Sequence, residues 1–108
     1  MNVIKIKALS INQAYRGRRF ATPELEKFKE DLAYLLPKIK IPAGQLEVWY
    51  EFGVSSKQAD YDNCIKAFQD VLQEAYGFND NVIYQAHIKK VDVPKGEEYI
   101  KFEIKSMT

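Results

Sequence analysis

Leu46-Glu47-Val48-Trp49-Tyr50-Glu51-Phe52-Gly53-Val54 alternates with a period of two, and Ile65, Phe68, Val71, Leu72 and Ala75 follow at helical spacing. The first pattern is a strand with Leu46, Val48, Tyr50 and Phe52 on one face. The second is an amphipathic helix that ends near Gly77, a residue suited to a helix C-terminus. Two apolar surfaces so close in the chain must bury each other or a shared neighbour, which commits the fold to helix on sheet. The connection between them, Ser55 to Ala59, is a loop. It runs into the helix through Asp60-Tyr61-Asp62-Asn63.

The flanking segments extend the same plan. Val3 to Leu9 partly alternates and reads as a strand. Ser10 to Phe20 is polar with Gly17 inside it, a loop or short hairpin. Thr22-Pro23-Glu24 starts a helix, with Thr22 as N-cap, proline in the first turn and acids at the positive end of the dipole. Leu25, Phe28, Leu32, Leu35 and Leu36 carry it, and Pro37 stops it. Val82 to Val91 and Tyr99 to Ile104 are two more strands, expected to form a hairpin through Pro94-Lys95-Gly96. The order is β-α-β-α-β-β: an α/β (α+β) sandwich, its sheet mixed or mostly antiparallel, with both helices on one face.

With 108 residues the chain is expected to be one domain, residues 1–108, burying roughly two-thirds of its unfolded surface. A lone cysteine, Cys64, forms no intramolecular disulfide, which fits a reducing interior. Lys5 and Lys7 break any N-terminal apolar run, and no window approaches a membrane span, so a cytoplasmic location is expected. The net charge of +1 does not announce a nucleic-acid binder. Distribution matters more, because Arg16, Arg18 and Arg19 are the only arginines and sit within four residues. A planar guanidinium can grip phosphate at two points, and a solvated turn is the other reading of the cluster.

The chemistry concentrates around the second helix. Asp60 and Asp62 stand two apart at its start, Asn63 beside them offers a polar side chain to orient them, and Asp80 follows its far end. Grouped carboxylates repel one another unless a cation lies between them. Mg²⁺, with Mn²⁺ as its substitute, prefers oxygen ligands and needs no histidine. Lys66 lies one turn after Asp62 on the same face, either as a surface ion pair or as a cation aimed at a phosphate. Asp70 continues that face about 12 Å along the axis from Asp62, too far to share an ion with it. It reads as a supporting residue. Spacing leaves open whether Asp80 acts in its own subunit or across a dimer. His87 has no second histidine for a zinc pair, Cys64 has no histidine at a nucleophile's spacing, and no glycine-rich phosphate loop exists.

The run Asp60-Tyr61-Asp62-Asn63-Cys64-Ile65-Lys66-Ala67-Phe68-Gln69-Asp70-Val71-Leu72 resembles the Asp-x-Asp-Asn-x-x-Lys-x-x-x-Asp-x-Leu motif of the RusA family of Holliday junction resolvases, common in phages. Gly77 to Ile83 resembles a later element of that family, and Ser10-Ile11-Asn12 with Tyr15-Arg16-Gly17-Arg18 its N-terminal feature. The chain departs from the pattern at Gln58-Ala59, where a basic-Pro pair often stands, and at Asn79, where the family has the first of two acids. The resemblance implies a homodimer that cuts four-way DNA junctions by paired symmetrical nicks with Mg²⁺ or Mn²⁺. It implies that Asp60, Asp62 and Asp80 are the essential, metal-binding acids and Lys66 the essential basic residue. Arg16, Arg18 and Arg19, with Lys57, Lys89 and Lys90, then become candidates for the DNA backbone. A less selective nickase of flaps or forks and a non-catalytic DNA-structure-binding module are the competing expectations.

Overall fold

The computed structural model describes residues 1–10, 14–16, 20–56 and 61–107, with side chains at all of these except 15, 16, 20, 21 and 61. The elements run β1 (Asn2–Ile4), β2 (Tyr15–Arg16), β3 (Phe20–Ala21), α1 (Pro23–Leu35), β4 (Leu46–Val54), α2 (Tyr61–Tyr76), a short 3₁₀ turn (Asp80–Val82), β5 (Ile83–Asp92) and β6 (Tyr99–Ser106). Four strands form one mixed sheet in the order β1-β6-β4-β5, and β2 pairs with β3 as a separate two-stranded ribbon. The expected α/β architecture is present. So is the short hairpin allowed for Ser10 to Phe20, in the part of that segment described.

The expected β5–β6 hairpin is not. β5 pairs in parallel with β4 (Tyr50 opposite Ile88), while β6 pairs antiparallel on the other side of β4 (Tyr50 opposite Phe102). β4 therefore separates them. The connection between them crosses the end of β4, where Val93 N–H donates to the Val54 carbonyl at 2.9 Å and Ser55 Oγ donates to Glu98 at 2.7 Å. β1 is also shorter than the Val3–Leu9 pattern predicts. Ile6 N–H donates to the Ile4 carbonyl, a tight turn that ends the strand.

α1 starts as its sequence requires. Thr22, buried, accepts from Leu25 N–H through Oγ1 and donates the same hydroxyl to the Ala14 carbonyl, both at 3.2 Å. The cap thus also anchors the segment before the β2–β3 ribbon. α2 ends at Gly77, whose φ of 70° supplies the left-handed conformation of a helix stop. Tyr76 Oη then donates to the Pro37 carbonyl at 2.6 Å and ties the ends of the two helices together.

Both helices bury against the even-numbered face of β4. Leu25, Phe28 and Leu32 of α1 and Cys64, Ala67, Phe68, Val71 and Leu72 of α2 join Val48, Tyr50, Phe52, Ile100 and Phe102 in one core. Phe68 sits at its centre, edge-on to Tyr50, Phe52 and Phe102 at ring separations of 5.4, 6.0 and 5.6 Å. Burial pushes the Tyr50 phenol well above its ordinary range, and its hydroxyl donates to Gln69 Oε1 at 3.1 Å. Among the described residues no helix is long and apolar enough to cross a membrane.

Candidate functional site

Asp62, in the first turn of α2, is exposed. Asn63 beside it is half-buried. Asp60 and Lys57 lie outside the described residues, as do Arg18 and Arg19; Arg16 is described by its backbone alone, in β2. Lys66 and Asp70 stand on the Asp62 face of the helix, their side chains joined by an i,i+4 ion pair of 3.0 Å. Gln73, one turn later, donates to the same Asp70 oxygen at 3.4 Å and accepts from the backbone N–H of Asp80 at 2.8 Å. A polar chain therefore runs along one side of α2, from Lys66 through Asp70 and Gln73 to Asp80.

α2 runs down between two parallel strands, so its start lies near the end of β4 and its end near the start of β5. The backbone N–H of Asp80 is bonded to the end of the Gln73 side chain, which also reaches back to Asp70. Carboxylate oxygens are the right donors for Mg²⁺. Among the described residues no three acids, histidines or cysteines of a single chain converge.

Cys64 is buried in the first turn of α2. Desolvation raises its thiol pKa, Lys90 lowers it and Asp62 raises it again, so the thiol is held in its protonated form. Lys89 and Lys90 are neighbours on a strand and so take opposite faces. Lys90 is on the helix side, close enough to act on Cys64; Lys89 is exposed on the other side and acts on Glu51.

That other side carries a group of residues that the motif reading set aside. Trp49 stacks on His87 with ring centroids 5.0 Å apart and 13° between planes. His87 Nε2 is 2.7 Å from Glu47 Oε2, and Lys105 Nζ lies 5.6 Å from the indole centre. Tyr99 Oη donates to Glu51 at 2.6 Å, which with Lys101 and Lys89 nearby holds that carboxyl below the usual range. The same bond pushes the Tyr99 phenol up to about 12. A shallow cavity of about 190 Å³ opens beside this group, lined by Met1, Trp49, Glu51, His87 and Lys89 among others. The signal was in the alternation of β4, whose odd positions Glu47, Trp49 and Glu51 must share the face away from the core.

No model of a known protein family matches the chain, and no curated protein matches it.

Proposed function

We propose that the chain is a Mg²⁺-dependent, structure-selective endodeoxyribonuclease of the Holliday junction type that works as a homodimer. The observation that carries this reading is the α2 face itself. Asp62, Lys66 and Asp70 lie along one side of a single helix, in the order the RusA-type motif requires. Gln73 ties that side to Asp80, the acid of the later element.

In this reading one ion is shared between Asp62, with Asp60, of one copy and Asp80 of a second. A two-fold dimer supplies two such composite sites, and equivalent sites suit the equivalent strands of a four-way junction. Bound there, Mg²⁺ supplies Lewis acidity and an acidified water. Lys66, held by Asp70, places positive charge one turn from Asp62, where it offsets charge developing on the non-bridging phosphate oxygens. Arg16, Arg18 and Arg19, with Lys57, Lys89 and Lys90, are the proposed backbone contacts, and they make affinity fall with salt.

Complementation tests the reading. Asp62→Asn and Asp80→Asn should each abolish junction nicking in Mg²⁺ while leaving junction binding intact. Mixing the two should restore about a quarter of wild-type sites, because only the mixed dimers carry one intact site out of two. Full nicking by Asp62→Asn alone would remove it from the chemistry.

A further inference from the structure

We propose that Lys90 is a second cation of the acid site, reaching the scissile phosphate from beneath α2 while Lys66 approaches Asp62 from the outer side of the helix. This rests on the nuclease reading and narrows the part given there to Lys90. It acts at the phosphate that is cut, and Lys89 does not.

Strand pairing sets the face. Lys90 stands opposite Phe52, and residues paired across neighbouring strands point the same way. Phe52 is fully buried beneath the helices, so the Lys90 stem starts on the helix side of the sheet. It is half-buried there, while Lys89 is exposed on the far side. A lysine in such a place lays its stem along apolar surface and carries its ammonium out toward water.

The level along α2 follows from the aromatic cluster. Phe68 packs edge-on to both Tyr50 and Phe52. α2 runs opposite to β4, so the Phe52–Lys90 level falls on the helix-start side of Phe68. One turn back from Phe68 is Cys64, buried in the first turn, and Lys90 and Asp62 are both close enough to act on it.

The flank follows from α1. Lys29 of α1 pairs with Glu74 at 3.5 Å, and Ala67 on that side is fully buried, so α1 covers the Ala67–Glu74 flank of α2. At about 100° per residue, half-buried Ile65 lies on the opposite flank, toward the β5 edge. Asp62 falls between Ile65 and the exposed Lys66 on the helix perimeter. Lys90, rising from β5 along the Ile65 flank, and Lys66, one turn along the outer face, therefore bracket Asp62. Two cations relieve repulsion among the acids before the metal arrives. The packed stem of Lys90 also fixes a positive charge where the phosphate gains negative charge.

Mn²⁺ titration of the DNA-free protein, together with junction nicking, tests this on Lys90→Met, Lys90→Arg and Lys89→Met. Lys90→Met keeps an apolar stem and removes the charge. It should bind Mn²⁺ about threefold or more tightly, because the acids lose a competing cation. It should also nick about tenfold or more slowly at saturating junction and metal. Lys90→Arg should return Mn²⁺ affinity to the wild-type value, and Lys89→Met should change neither quantity. In wild type, bound Mn²⁺ should broaden the NMR signal of Lys90 Cε far more than that of Lys89. Unchanged Mn²⁺ affinity in Lys90→Met, with junction affinity lost instead, makes Lys90 an ordinary backbone contact and overturns the proposal. Equal broadening of the two lysines overturns it as well. A wild type that neither binds Mn²⁺ nor nicks junctions sinks the nuclease reading and this proposal with it.

Discussion

Gly53 has no side chain because Tyr99 occupies the space. A Cβ built there would meet Tyr99 Cε1, Cδ1 and Cζ well inside van der Waals contact. The two residues face each other across the β4–β6 pair, so the ring covers the glycine and leans along the strand to bond Glu51. Gly53→Ala leaves two ways out. Either the ring stays and the strands shift, an overpacking cost of about 1–3 kcal/mol, or it swings off and gives up the 2.6 Å bond to Glu51. The alanine recovers about 0.5–1 kcal/mol of backbone entropy. The net loss is about 1–2 kcal/mol, and at several degrees per kcal/mol Tm should drop by about 10 °C. Thermal and urea unfolding of Gly53→Ala, Tyr99→Ser and the double variant check it. In the Tyr99→Ser background the alanine should become neutral or stabilising. Equal costs in both backgrounds would show that the ring is not what excludes a side chain.

The folded Tyr99 phenol, at about 12, lies above the ordinary 10, so its bond contributes stability below pH 10 that is lost as pH rises from 10 to about 12. Tyr99→Phe should flatten that alkaline loss in a plot of urea midpoint against pH. Thr22→Val deletes a buried cap hydroxyl with its bonds to Leu25 N–H and the Ala14 carbonyl, so unfolding free energy should fall by about 1–2 kcal/mol while Thr22→Ser recovers most of it. Phe68→Ala opens the centre of the aromatic cluster and should cost about 3–5 kcal/mol by denaturant titration, enough to threaten folding. Lys66→Ala should cut the junction-nicking rate a hundredfold or more with Tm within a few degrees, since an exposed i,i+4 pair contributes only about 0.3–0.5 kcal/mol. A Tm collapse with nicking intact would make the lysine structural.

Residues whose fate is decided locally were legible in the sequence. Thr22 caps, Gly77 stops a helix, and Leu46, Val48, Tyr50 and Phe52 share the buried face because each answers to its own neighbours or to the pleat. The β5–β6 relation was not. Pro94-Lys95-Gly96 is good turn chemistry, but a turn cannot say whether its arms pair or straddle a third strand. That depends on β4, forty residues upstream, winning both partners. At the site, the Asp62–Lys66–Asp70 face followed from helical periodicity. Gln73 did not, because its role depends on where the chain folds back after Gly77.

β6, which follows every other described element along the chain, is an interior strand between β1 and β4. A ribosome that has delivered α1, β4 and α2 has therefore delivered helices with half a platform to rest on. β1 must wait for a partner nearly a hundred residues downstream, Ile4 for Ile100. Stalled chains ending near residue 95 should remain open to protease within β4. Emergence of β6 should close the whole sheet in one step.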